Sequence, residues 1–227
     1  MPGWQALYQQ LDSKDFQIIS VAEDTGGNKD AGPWITAAKP TYTVLVDDKH
    51  LVSKLYNMVN VPTGVWINEQ GRIVRPNEVA FVDDRFKVFT GLDAAPYLTA
   101  LKDWIEKGEK SQYVMSEEKL REKLDSNDPN VALAAAEFGL AEQLYKTGHN
   151  GEAITHFKEA QRLNPKNWNY KRQAYLLGDA KRDYGTTFLD EVNKNGGGKV
   201  YYAPPDLPGE KDQDKPATKE TNDHKEH

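Results

Sequence analysis

Apolar positions along this chain change their spacing several times, and each change marks an element. Trp4, Leu7, Tyr8 and Leu11 recur at helical spacing and predict an amphipathic helix over residues 3–13. Residues 16–22 form a nearly continuous apolar run, the pattern of a strand covered on both faces in a parallel sheet. The Gly-rich stretch at 23–29 reads as a loop. Its Gly26-Gly27 is followed by no Gly-Lys-Ser/Thr, so it makes a weak phosphate cradle. A short helix over 31–38 is stopped by Pro40, a strand follows at 42–46, and a helix over 50–58 places Leu51, Leu55 and Met58 on one stripe. Val65-Trp66-Ile67 and Ile73-Val74 flank Asn68-Glu69-Gln70-Gly71-Arg72, which signals a β-hairpin. Asp93 caps a helix over 94–107 that turns Tyr97, Leu98, Leu101 and Ile105 inward. Strand, helix, strand, helix, hairpin and helix make an α/β layout.

From residue 108 the pattern becomes wholly helical. Residues 108–130 are polar, with a short helix at 116–124 opened by a Ser-Glu-Glu-Lys cap. Leu140, Ala141, Gly148, Ala153, Phe157, Ala160 and Pro165 fall at tetratricopeptide-repeat spacing, so 131–192 resembles that kind of helical region. Small residues let two helices approach, Phe157 fills between them, and Pro165 ends the second. Glu137 and Leu144 stand where the repeat carries an aromatic and a tyrosine; an unrelated helical hairpin is the alternative. One repeat cannot bury its face alone, so the helices at 116–124 and 168–182 and the α/β body are expected to flank it. Its groove positions hold Ala135, Phe138, Glu142 and Lys146. Phe138, Glu142 and Lys146 are thus candidate peptide contacts, although Glu142 would repel a terminal carboxylate. Gly196-Gly197-Gly198-Lys199 reads as a flexible break, and residues 193–227 as a flexible, disordered tail whose polar composition cannot offset ordering entropy.

Composition narrows the chemistry. The 227 residues carry a formal net charge of −6 with no basic cluster, which argues against nucleic acid as a partner. No apolar run approaches the ~18 residues needed to span a bilayer. Met1-Pro2-Gly3-Trp4 has neither the charged start nor the apolar core of a signal peptide. The five histidines are scattered. His224 and His227 stand i, i+3 in the polar tail and do not make the three or four fixed ligands a metal wants, so no metal and no cofactor is expected. Asp47-Asp48 and Asp83-Asp84 lie at strand or loop ends, where solvated acids are ordinary. There is no cysteine. Thiol–disulfide exchange needs an attacking thiolate, so this polypeptide has no redox catalytic residue of its own.

Val61-Pro62-Thr63 stands immediately before the aromatic-rich strand. By itself the proline reads as one that ends the preceding helix, tolerated at a strand's start because it cannot donate a ladder bond. Helix, linker, Val-Pro-Thr, strand, Asn-x-x-Gly turn, strand and C-terminal helix together resemble the second half of a thioredoxin fold. Residues 1–107 are most similar to the TlpA/ResA-like thiol–disulfide oxidoreductases and the redoxin (AhpC/TSA) group. The Asn-Trp-x-Tyr-Lys-Arg-Gln segment at 167–173 resembles one in bacterial redoxin-domain proteins with a helical extension.

The resemblance implies a cis Val61–Pro62 bond beside a redox cysteine pair, and a Val61 backbone that pairs with an extended substrate peptide. Substrate contacts by resemblance are thus Val61, Pro62 and Thr63, and the family usually works outside the cytoplasm. In these families Cys-x-x-Cys opens the first helix and a proline follows, which Pro2 matches. The expectation is therefore an N-terminally truncated, thioredoxin-like sheet lacking its first central strand, with Met1 an internal methionine; a purpose-built N-terminus is the alternative. Such a strand buries three or four aliphatic side chains at roughly 1.5–3 kcal/mol each. That compares with the ~5–15 kcal/mol net stability of a domain, so the body is expected to be poorly stable alone. The expected organisation is a thioredoxin-like domain at 1–107, a linker with a short helix at 108–130, the helical region at 131–192 and the tail at 193–227. Two functions follow from it: the family's oxidoreductase activity fused to a tetratricopeptide module, or a cysteine-free scaffold that binds a protein or peptide.

Overall fold

A computed structural model of the chain describes residues 2–11, 15–124 and 128–208. Its first element, α1 (Pro2–Leu11), is followed by β1 (Ile19–Glu23), α2 (Asn28–Ala38), β2 (Thr43–Asp47), α3 (Leu51–Leu55), β3 (Thr63–Ile67) and β4 (Ile73–Val79). α4 (Lys87–Thr90), α5 (Ala94–Lys107) and α6 (Glu117–Leu124) lead to α7 (Pro129–Lys146) and α8 (Asn150–Leu163). The remainder is α9 (Trp168–Leu177), α10 (Ala180–Tyr184), α11 (Phe188–Lys194) and α12 (Gly198–Tyr201). The protein is mixed α/β, with two small sheets and a helical C-terminal region.

The strands form two separate pairs. β1 and β2 run parallel, from Ile19 opposite Thr43 to Glu23 opposite Asp47, while β3 and β4 run antiparallel from Thr63 opposite Val79 to Ile67 opposite Ile73. The Asn68–Arg72 turn closes as its residues predict: the Arg72 carbonyl accepts from Asn68 N at 2.9 Å, and Gly71 takes the positive φ of 75°. α1 packs across both pairs. Gln5 exchanges hydrogen bonds with Thr41 and Tyr8 stacks edge-on against Tyr42, beside β2; Leu7 joins the core built on β3, β4 and α5.

That core contains Trp66, Val74, Ala80, Tyr97, Ala100 and Leu101, with Trp4, Leu11, Leu98, Trp104 and Ile105 against it. Trp66 Nε1 donates to Tyr97 Oη at 3.0 Å, and a Cβ at Gly64 would lie 2.5 Å from the same oxygen. Close approach of α5 to β3 therefore requires glycine there. Arg75, 1% exposed, lies under the Trp66 ring and donates to the carbonyls of Tyr113 and Asp206, with Glu78 3.0 Å away.

The structure departs from several expectations. β1 has no buried residue and Ile19 is 66% exposed, because among the described residues no core cluster takes in β1 or its partner β2. In α3 the stripe is reversed: Leu51 and Leu55 are exposed, while His50 and Ser53 are buried. The cause is a polar partner for His50, described below. Residues 198–208 are not a free tail. α12 and the segment after it bury Tyr201 and Leu207, apolar anchors that the composition of 193–227 as a whole obscured. Residues 209–227, with His224 and His227, lie outside the described residues.

In the helical region, α7 and α8 pack closely through Ala134, Ala141, Ala153 and Ala160, with Phe157 between them. The helix expected over 168–182 breaks at Gly178, and Asp179 caps a separate α10 by accepting from Arg182 N.

Candidate functional site

Local residues force the chain from α3 to β3 into an irregular path. Asn57 takes a positive φ of 50°, and the Val61–Pro62 peptide bond is cis, the geometry the family resemblance implies. An irregular segment buried against protein must find partners for its backbone. Here all six consecutive carbonyls from 57 to 62 find one. Asn57 accepts from Asn77 Nδ2 (2.7 Å), Met58 from Asn169 Nδ2 (3.0 Å), Val59 from Trp168 N (2.7 Å) and Asn60 from Thr63 Oγ1 (2.5 Å). Val61 accepts from the Tyr202 hydroxyl, and Pro62 from Ala80 N at 3.2 Å.

The loop is therefore held in a clasp made by the start of α9 and by Tyr201-Tyr202. Asn167 caps α9 by accepting from Asn169 N and Tyr170 N, which aims the Trp168 amide and the Asn169 side chain at the loop. Asn60 is the loop's own contribution. Its Oδ1 accepts from Val61 N at 2.9 Å and from Arg172 at 3.3 Å, and its Nδ2 donates to the Tyr201 carbonyl at 2.9 Å. Arg172 also donates to the Tyr201 hydroxyl. Val61, Pro62 and Thr63 thus sit together at the head of β3, joined to the 167–173 segment that sequence reading singled out separately. Asn60, Tyr201 and Tyr202 were missed. The available signal was two adjacent tyrosines in an otherwise polar stretch.

A second cluster lies between the α/β body and α7. Thr25 Oγ1 donates to Glu142 Oε1 at 2.6 Å, and His50 Nε2 is 3.3 Å from the hydroxyl and 3.4 Å from the carboxylate. Gln173 Oε1 accepts from Thr25 N. Burial lowers the His50 pKa to about 4 and raises that of Glu142 to about 7. Burial also raises Glu23 above its ordinary range. Hydroxyl, imidazole and carboxylate are thus brought together, but the hydroxyl donates its hydrogen bond to the carboxylate and all three residues are buried. The cluster joins body to helices; it presents no nucleophile to a substrate.

This arrangement corrects the groove expectation. Phe138 is buried, stacked on Tyr170 and edge-on to His50 and Phe157. Glu142 is taken by Thr25, and Lys146 donates to the Asp48 carbonyl and carboxylate. None of the three lines an open peptide groove, because the α/β body covers that side of α7. Asp47 accepts from Val52 N and Lys49 N, and Asp83 and Asp84 accept from Arg85 N and Ala94 N, so these acids order turns and helix starts. His149 and His156 pair with Glu152 and Glu137. Among the described residues no group of three or more His, Cys, Asp or Glu could hold a metal, and no helix is long and apolar enough to cross a membrane. A cavity of about 470 Å³ lined by Lys158, Gln161, Tyr175 and Tyr184 shares no residue with either cluster.

Comparison with known protein families, characterised proteins and solved structures finds no match to this chain.

Proposed function

We propose that this chain is a thioredoxin-like body of the TlpA/ResA and redoxin type joined to a tetratricopeptide-like module, and that it serves thiol–disulfide exchange on protein substrates by holding the substrate. The redox sulfurs come from outside these 227 residues, since the chain has none. One observation carries the reading: a parallel pair and an antiparallel pair lie under the same helix, and among the described residues β1 and β3 each have one edge without a strand. A thioredoxin-like sheet without its middle strand has this form. Val61 then stands just before β3, outside the span that strand would fill, and offers its backbone to an extended peptide.

The test supplies what is missing. A synthetic peptide with an apolar strand followed by Trp-Cys-x-x-Cys is added to the chain, and insulin reduction by dithiothreitol is followed. The chain alone gives no rate above buffer. Chain plus peptide exceeds peptide alone if the reading is right, and equals it if the reading is wrong.

A second reading is favoured by the Tyr202 hydroxyl on the Val61 carbonyl: a cysteine-free scaffold that binds a protein partner. It predicts polypeptide binding by the chain with no gain in reduction from the peptide.

A further inference from the structure

We infer that residues 202–206 form a displaceable arch over the Val61 edge, with Tyr202 as its gate, and that an extended polypeptide segment replaces the Tyr202 hydroxyl on the Val61 carbonyl. The inference rests on the reading of that edge as the place where peptide is held.

Both ends of the arch are anchored. At one end the Tyr201 ring is buried edge-on against Trp168 (4.8 Å between centroids) and Phe188 (5.8 Å), and its carbonyl accepts from Asn60. At the other, Leu207 lies in the core with Trp66 and Leu101, the Asp206 carbonyl accepts from Arg75 at 2.6 Å, and Asp206 N donates to Glu78 at 3.1 Å. Between them the hold is light. Ala203 and Pro204 are exposed, and among the described residues no backbone–backbone hydrogen bond joins 203–205 to the body. Tyr202 is half-buried, its ring resting on Phe81 (5.2 Å) and Tyr201 (4.5 Å).

The exchange of partners is balanced. A peptide N–H takes the place of the tyrosine O–H as donor to the Val61 carbonyl, and the released hydroxyl is solvated, so one hydrogen bond is lost and one gained at each group. Side-chain contacts of the incoming segment then favour the open arch, while the fixed Tyr201 and Leu207 return the gate when the segment leaves. The arch thus selects for extended segments that offer a backbone donor at that point.

The probe is carboxymethylated insulin B chain carrying fluorescein, titrated with the full chain and followed by anisotropy. Tyr202→Phe keeps the ring and removes the donor; an insertion of two glycines between Ala203 and Pro204 keeps every side chain and loosens the arch. Both variants are expected to bind about two- to tenfold tighter than wild type, the worth of one hydrogen bond no longer contested. Nuclear magnetic resonance shifts of residues 60–63 locate the binding, and circular dichroism checks the fold. Equal affinity of all three at that loop makes the arch a fixed brace and overturns the inference, while the edge reading stands. If none of the folded proteins binds, the edge reading fails and the inference with it.

Discussion

The two strand pairs have similar sequences and opposite fates. β3 and β4 bury Trp66, Val74, Arg75 and Val79 against α5 and the arch, whereas no residue of β1 or β2 is buried. Both contain β-branched apolar residues, so propensity does not separate them. What separates them is the layer next to each: α5 supplies Tyr97, Ala100 and Leu101 to one pair, whereas among the described residues no core cluster takes in a residue of the other. A strand's sequence states what cover it needs; the rest of the molecule decides whether it gets it.

Substitutions can break this contrast. Trp66→Ala should cost the most, about 3–5 kcal/mol in urea denaturation, since it empties the centre of the β3–β4 core. Arg75→Met should cost about 3 kcal/mol because it takes away the guanidinium 3.0 Å from the buried Glu78 carboxylate, leaving Lys123 at 3.5 Å and the Asp206 N–H. Asn60→Ala should cost about 2 kcal/mol, for it strips a partner from Val61 N, the Tyr201 carbonyl and Arg172 at once. Ile19→Ala, on the uncovered strand, should cost less than about 1 kcal/mol.

The join between body and helices sharpens the contrast through pH. The lowered His50 pKa contributes stability above pH 6.5 that is lost as pH falls towards 4. The raised Glu142 pKa contributes stability below pH 4.5 that is lost as pH rises through about 7. Between pH 4.5 and 6.5 the two oppose each other, and wild-type stability should be nearly flat in their part. Glu142→Gln removes one side, so its stability should rise with pH over that window; an unchanged profile would mean the pair does not titrate as burial requires.

Local signals are legible in the chain. Asn68 and Gly71 made the turn, Asp93 caps α5 through Ala95 N, and the alanines of α7 and α8 meet as their spacing indicated. What was hidden is non-local. The Leu51 and Leu55 stripe pointed inward by period, but His50 took that place because Thr25 and Glu142, far away in sequence, offered it partners. The same holds for the loop: nothing near Met58 or Val59 announces that Asn169 and Trp168 complete their carbonyls. Tyr201, Tyr202 and Leu207 do not stand out because composition over 193–227 averages two buried anchors and a half-buried tyrosine into a polar background.

Under the proposed reading one strand fits between β1 and β3, and amide hydrogen exchange tests this most directly. Without a peptide, β1 amides should exchange through local opening, far faster than those of β3 and β4. On adding the strand peptide, amides of β1 and β3 should gain protection together, at the same peptide concentration. Protection of one strand alone, or of neither, would contradict the account.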